Sequence, residues 1–325
     1  MSRGAVIDLG SNSFKLLLAE QQKSCLIVHR ESAYVTRLGE GVARTGKLSR
    51  DAMRRSLDVL RDYARAIDDF DAEKRVVLGT SALRLAKNRD IFIKQAKKLL
   101  GSSVRIVSEK MEGELAYAGL LSHPKWRSKQ IIQLDLGGGS LEVIHAHGSA
   151  IHSIHSLLVG CVRLRDLFLK RQPLRAFDLA RAALYLNEQL TPLRKLKLKD
   201  ARASRALWVA SGGSSIMLAR VMNALGMNEK LKAGIACKEG CALQRPFLED
   251  LLDIISSMDL DEVRALPAMP RDRADLAASA LLVYVTLMRL LNVEKLRVSW
   301  RGLRHGAWNK WICSLPYTQV IQRDS

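Results

Sequence analysis

Ala5-Val6-Ile7-Asp8-Leu9-Gly10-Ser11-Asn12-Ser13, close to the start of the chain, has a counterpart at Ile131-Ile132-Gln133-Leu134-Asp135-Leu136-Gly137-Gly138-Gly139-Ser140. In each, aliphatic and β-branched residues read as a buried strand, and the small residues after the Asp read as a tight turn leaving it. Gly, Ser and Asn let backbone N–H groups and hydroxyls approach an anion closely. The Asp falls at the strand end, where it can hold a metal ion or a water. Taken singly, either turn also suits a plain hairpin, because strand-like stretches follow both, Phe14–Leu18 and Leu141–Ile144. Paired, and both opening on Asp, they predict two similar lobes with phosphate held between them.

The rest of the chain suits that reading. Its 325 residues are enough for two domains of ordinary size, and 48% hydrophobic with 26% charged residues is the balance of a globular protein. No stretch approaches the ~20 uninterrupted apolar residues that span a bilayer. The first strand begins too early to leave room for a signal peptide, so a cytoplasmic location and no membrane partner are expected. Five scattered Cys fit a reducing compartment. Cys237 and Cys241 would form only half of a metal site, and all five read as ordinary thiols. The formal net charge of +19 points to a polyanionic partner. The excess is spread along the chain, with denser runs at 163–175, 194–199 and 297–305. Nucleic acid is disfavoured, since only 5% of residues are aromatic and no nucleic-acid-binding motif is present.

Along the chain, strands interleave with helices. A meander is predicted from Val6 to about Tyr34, then a loop Arg37–Gly41, and a helix over Asp51–Ile67 capped by Ser49. Arg75–Ser81 reads as strand and turn, Asn88–Leu100 as helix, Val104–Val107 as strand and Met111–Leu121 as helix. His123–Lys129, polar and Pro-bearing, reads as a hinge, so the first lobe is expected over 1–122 and the second over 123–325. The second lobe repeats strand, turn and strand from Ile131, followed by basic helices from Leu164 to Leu196. Ala206–Ala210 runs into a third Gly/Ser turn, Ser211–Ser215, and a helix from Ile216 to Leu225. A long apolar helix over Asp272–Leu291, a strand Leu296–Ser299, a loop Arg301–Arg304 and a final helix complete the reading. The final helix can pack back on the first lobe. The class is α/β.

Together these segments resemble the exopolyphosphatase / guanosine pentaphosphate phosphohydrolase (Ppx/GppA) family, within the fold group of actin, the chaperone ATPases and the sugar kinases. The resemblance covers nearly the whole chain, in order: Asp8–Ser13, Arg37–Gly41, Thr80-Ser81-Ala82-Leu83-Arg84, Asp135–Ser140, Gly160-Cys161-Val162-Arg163-Leu164, Ser211-Gly212-Gly213 and Val298–Arg304. It implies two actin-like (ribonuclease H-like) lobes with a phosphate-binding cleft between them. The implied chemistry is metal-assisted attack of water that removes terminal phosphate from polyphosphate or from a nucleotide's phosphate tail. Such transfer needs positioning and charge neutralisation above all. On that basis Gly10, Ser11, Asn12, Ser13, Gly137, Gly138, Gly139 and Ser140 would hold phosphate, with Arg84, Arg163 and Arg301 supplying positive charge. Glu112 would orient the water. Asp135 would act at the catalytic centre and bind Mg²⁺ (Mn²⁺ as the alternative), assisted by Asp8.

The segment carrying Glu112 departs from the family. The pattern there is roughly Ser-Gly-any-Glu-Glu-Ala, whereas this chain reads Ser108-Glu109-Lys110-Met111-Glu112-Gly113. A non-Gly residue at 109 is expected to strain the loop if a left-handed conformation is needed there. Trp300 stands where a small or acidic residue is usual. Three functions follow: an exopolyphosphatase, favoured by the charge; a guanosine pentaphosphate (pppGpp) phosphohydrolase; or a catalytically weak protein that binds polyphosphate or an alarmone. The oligomeric state stays open, a homodimer included. His145, His147, His152 and His155 are left out of the site, as hairpin histidines without a nearby carboxylate.

Overall fold

The computed structural model describes residues 2–23, 25–195, 206–227, 238–313 and 319–322. The chain forms two compact units, one of Met1–Ser128 with Arg301–Ser325 and one of Lys129–Trp300. The first holds β1 (Ser2–Leu9), β2 (Ser13–Gln22), β3 (Cys25–Val35), β4 (Lys74–Gly79) and β5 (Val104–Ile106). The second holds β6 (Gln130–Leu136), β7 (Leu141–His147), β8 (Ala150–Leu157), β9 (Leu207–Ser211), β10 (Ala242–Gln244) and β11 (Lys295–Val298). The last described strand, β12 (Gln319–Gln322), returns to the first unit.

The two sheets are built alike. Their orders are β12-β3-β2-β1-β4-β5 and, read in the same sense, β8-β7-β6-β9-β11-β10. An antiparallel meander, β1-β2-β3 or β6-β7-β8, is extended by parallel neighbours, β4 or β9, on its first strand. Each meander's first hairpin carries one of the Asp-led turns. The units differ at their edges: β12 adds to β3 in parallel, while β10 adds to β11 antiparallel.

In the first unit, helix Arg50–Asp69 starts at Ser49, whose side chain accepts from Ala52 N–H as an N-cap. It buries Leu57, Leu60, Tyr63 and Ile67 on the sheet, and Tyr63 OH donates to Phe14 O at 2.8 Å. On the sheet's other face, helices Glu109–Leu121 and Leu303–Trp311 touch backbone to backbone. A Cβ on Gly119 would lie 2.0 Å from Gly302 O, and one on Gly306 would lie 1.9 Å from Leu115 O. Only Gly permits that approach. Leu115, Leu303, Ala307 and Trp308 then pack with Val6 and Leu17.

The second unit is centred on Ala277–Leu291, nearly all of it buried. Ala274–Leu291 is long and apolar enough to cross a membrane by length and composition, yet 78% of it is buried inside its unit, as in a core helix. Between the third turn and this helix lie β10 and helices Arg245–Ser257 and Leu260–Ala265, none of them anticipated from the sequence. The last opens on a capping box, Asp259 with Glu262, so a readable signal was there. Two helices begin earlier than expected, by two residues at Glu109 and by three at Gly213, because Ser108 and Gly212 are their N-caps.

Candidate functional site

In the first unit the turn between β1 and β2 is held from behind. Ser11 O accepts from Gly39 N at 2.7 Å, and Asn12 O accepts from Thr36 N and Arg37 N at 3.0 and 2.8 Å. A Cβ on Gly39 would fall 2.8 Å from Ser11 Cβ, which explains the glycine in the Arg37–Gly41 loop. Ser11 Oγ accepts from Ala82 N at 3.1 Å and so docks the short helix Ser81–Leu85, which carries Arg84. The carbonyls of Ser11 and Asn12 and the Ser11 hydroxyl are thus used inward. Among the described residues, the amides of Gly10, Ser11 and Asn12 have no hydrogen-bond partner. A row of unspent N–H donors suits an anion.

Asp8 is buried, and its cross-strand partner on β2 is Lys15. Lys15 Nζ lies 3.2 Å from Asp8 Oδ2, while Oδ1 is buried without a hydrogen-bond partner. The sequence reading gave Asp8 a metal-assisting role; the structure sets a protein cation against it.

Arg84 and Glu112 meet. Arg84 Nη1 donates to Glu112 Oε2 and, at 3.1 Å, to Val107 O. Glu112 sits in the first turn of its helix, where Ser108 Oγ accepts from Met111 N at 3.2 Å. Glu109 is helical rather than left-handed, so the strain expected at that position is absent. Met111 occupies the place from which a Glu would complete a capping box, and it packs against the apolar cluster of Leu115 and Trp308.

Arg301 heads the segment leading into the last helix. Below it, Arg304 is spent on Leu16 O (2.7 Å), and His305 lies 3.2 Å from Glu31. Burial would raise the Glu31 carboxyl, but His305, Arg304 and Arg301 together hold it well below the usual carboxylate range. Burial outweighs Glu31 at His305 and lowers its imidazole.

In the second unit Asp135 is the last residue but one of β6. Its Oδ1 accepts from Ser211 Oγ at 2.9 Å, and Ser211 Oγ accepts from the fully buried Gln133 at 2.9 Å. Gly212, at φ +95°, passes close enough that a Cβ would meet Asp135 Oδ1 at 3.0 Å. The turn itself is closed by Gly137 N to Ser140 O at 2.9 Å. Gly160 backs it so tightly that a Cβ would lie 2.4 Å from Gly138 and Gly139 backbone atoms. Cys161, Val162 and Arg163 donate their N–H groups to Gly137 O and Gly138 O, so that helix start is committed to the turn. The amides of Gly138 and Gly139 have no partner among the described residues. Arg163 Nε is held by Tyr185 OH at 3.3 Å. Burial pushes the Cys161 thiol up to about 11, which keeps it out of nucleophilic chemistry.

One residue was missed. Glu142 on β7 pairs directly with Asp135, so both side chains leave the same face of the sheet. It is 1% exposed and accepts from Ser156 Oγ at 2.9 Å. The signal was a spacing: Glu142 follows Asp135 by the same interval as Lys15 follows Asp8. One hairpin therefore sets a cation against its Asp, and the other a second carboxylate.

The donor set at Asp135 and Glu142 fits a hard cation. Mg²⁺ is commonly held by one or two carboxylates with the remaining positions taken by water and substrate phosphate. No group of three or more His, Cys, Asp or Glu able to hold a metal occurs among the described residues, so substrate oxygens would have to complete the shell. The His145 and His152 ring centroids lie 5.1 Å apart with the rings tilted by 56°, and burial together with His152 lowers the His145 imidazole. Cys25, Cys161 and Cys313 are free thiols, whereas Cys241 is disulfide-bonded and not the ordinary thiol expected; Cys237 lies outside the described residues.

The predicted site residues therefore form two sets, one in each unit. Gly10–Ser13, Asp8, Arg84, Glu112 and Arg301 belong to the first, and Asp135, Gly137–Ser140 and Arg163 to the second.

Known proteins share this fold. A solved exopolyphosphatase from Cytophaga hutchinsonii is 26% identical, with a TM-score of 0.85 over 96% of this chain and 98% of that one. The Aquifex aeolicus member of the Ppx/GppA family is 26% identical, with a TM-score of 0.73 over 94% of this chain and 96% of that one. Guanosine-5'-triphosphate,3'-diphosphate pyrophosphatase of Aliivibrio fischeri is 28% identical over 98% of this chain, and the Photobacterium profundum protein of that name matches at the same identity. The chain spans 61% of the length of these two relatives. A sequence profile described as the Ppx/GppA phosphatase family matches residues 3–314. The chain belongs to the Ppx/GppA phosphatase family.

Proposed function

We propose that this chain is an exopolyphosphatase-like phosphohydrolase, releasing terminal phosphate from inorganic polyphosphate by attack of water. The observation that carries this reading is the repeated Asp-led turn with unspent amides, Gly10–Asn12 in one unit and Gly138–Gly139 in the other. These donors and Arg84, Arg163 and Arg301 suit a highly charged phosphate chain. Glu112 is the carboxylate assigned to orient and deprotonate the water. Mg²⁺, held through Asp135 and Glu142, would neutralise charge on the phosphate oxygens. Ser211 donates to the Asp135 carboxylate and Gln133 in turn donates to Ser211, so the carboxylate is held in place by a two-step chain.

The polymer is favoured over a nucleotide by the net charge of +19, which attracts a long polyanion more than a short one. A second reading, hydrolysis of guanosine pentaphosphate, is favoured by the names of the A. fischeri and P. profundum relatives. Phosphate release from long polyphosphate, guanosine pentaphosphate and ATP, measured side by side with Mg²⁺, separates the two. Cleavage of the polymer is the expected result; cleavage of guanosine pentaphosphate alone would replace the first reading with the second.

A further inference from the structure

The proposed chemistry needs Arg84 open to phosphate and Glu112 open to water, yet in the structure each holds the other. Arg84 Nη1 is taken by Glu112 and Val107 O, and Nη2 is buried with no hydrogen-bond partner. The two side chains are only 14% and 11% exposed. The guanidinium is turned into the protein, and the carboxylate that neutralises it is the one assigned to the water. A carboxylate and a phosphate offer a guanidinium the same kind of partner, an anionic oxygen that accepts its N–H bonds.

We propose that the Arg84–Glu112 pair is an internal stand-in for bound substrate: Glu112 occupies the guanidinium that a terminal phosphate takes, and the phosphate must displace it. This rests on the phosphohydrolase reading and adds a positioning role to Arg84. Binding and activation become one event. When phosphate draws Arg84 away, Glu112 loses the cation that quenches it as a base, and only then can it accept a proton from water. An empty site keeps its base neutralised. The pair also lowers apparent affinity, because only the fraction of molecules with the pair open can bind.

The test is a double-mutant cycle read by calorimetric binding of tripolyphosphate, with thermal unfolding as a check on each variant. Glu112→Gln removes the competitor and is expected to tighten binding at least fivefold. In an Arg84→Gln background the same change is expected to alter affinity less than twofold. An equal gain in both backgrounds, which is plain removal of a nearby negative charge, overturns the proposal, as does no gain in either. If Arg84→Gln fails to fold, Arg84→Lys takes its place, and the gain from Glu112→Gln must then fall at least twofold short of that in the wild-type background. Phosphate release by the wild-type protein is measured in parallel. Coupling without turnover overturns the hydrolase reading and leaves the exchange standing; turnover without coupling does the reverse, and no binding by any variant overturns both.

Discussion

At the level of single residues, the proposed chemistry turns on a few carboxylates and the cations set against them. Glu112 is the sharpest case. General-base assistance contributes about 10²–10⁴-fold, so Glu112→Gln is expected to lose turnover on that scale at saturating substrate. Wild-type turnover in that variant would remove Glu112 from the mechanism. Glu142→Gln tests the second-unit carboxylates: it should raise the Mg²⁺ concentration needed for half-maximal activity while circular dichroism stays unchanged. An unaltered Mg²⁺ requirement would count against Glu142 as a metal ligand. His305 supplies a pH test. Burial holds its folded pKa below the unfolded value of about 6.5. Below that pH the unfolded chain binds more protons than the folded one, so stability falls as pH drops. The lowered Glu31 carboxyl acts in the same direction further into acid. Thermal unfolding between pH 7.5 and 5.5 should show the decline, and His305→Gln should flatten it; an equally steep curve in the variant would assign the effect elsewhere.

At the scale of elements, the contact between helices Glu109–Leu121 and Leu303–Trp311 is the most constrained in the first unit. A methyl group at 119 or 306 meets a backbone oxygen at 2 Å or less. Neither helix can yield without unpacking Trp308 and Leu115. Gly→Ala gains about 1 kcal/mol of helix propensity, and the backbone collision outweighs it. Gly119→Ala or Gly306→Ala is therefore expected to destabilise by about 2 kcal/mol or more, read from denaturant midpoints; a neutral or stabilising result would show that the helices can separate. Met111→Glu works on the start of the first helix. It offers Ser108 the second half of a capping box, worth about 1 kcal/mol, but withdraws Met111 from the apolar cluster. The two effects oppose, so activity should be unchanged or raised with stability altered by under about 1 kcal/mol.

At the scale of the whole molecule, charge is the dominant property. With 52 Lys and Arg against 33 Asp and Glu, polyphosphate binding should weaken steeply as salt rises, because counterion release drives it. Affinities measured from 50 to 300 mM salt should fall linearly on a log–log plot; a flat line would count against a long polyanion as ligand. The paired architecture shows how one hairpin design is put to two uses. Register sets residue 15 against Asp8 and residue 142 against Asp135, so one hairpin places a Lys beside its Asp and the other a second carboxylate.

The sequence by itself determined the α/β class, the repeated strand–turn–strand and most element positions, because periodicity, Gly/Ser turns and caps such as Ser49 act within a few residues. It also carried the family, through motifs that keep their order over the chain. Glu142 was not recognised, since its partner lies across a hairpin and only register reveals that they share a face. The 242–265 segment went unread despite the Asp259–Glu262 box, having no Gly-rich turn or matched motif to draw notice. Only the tertiary structure decided that Arg84 binds Glu112, 28 residues away, that Lys15 neutralises Asp8, and that Gly119 and Gly306 are glycines for packing. Each of these depends on a close approach between segments, and distance in space is what local sequence patterns do not encode.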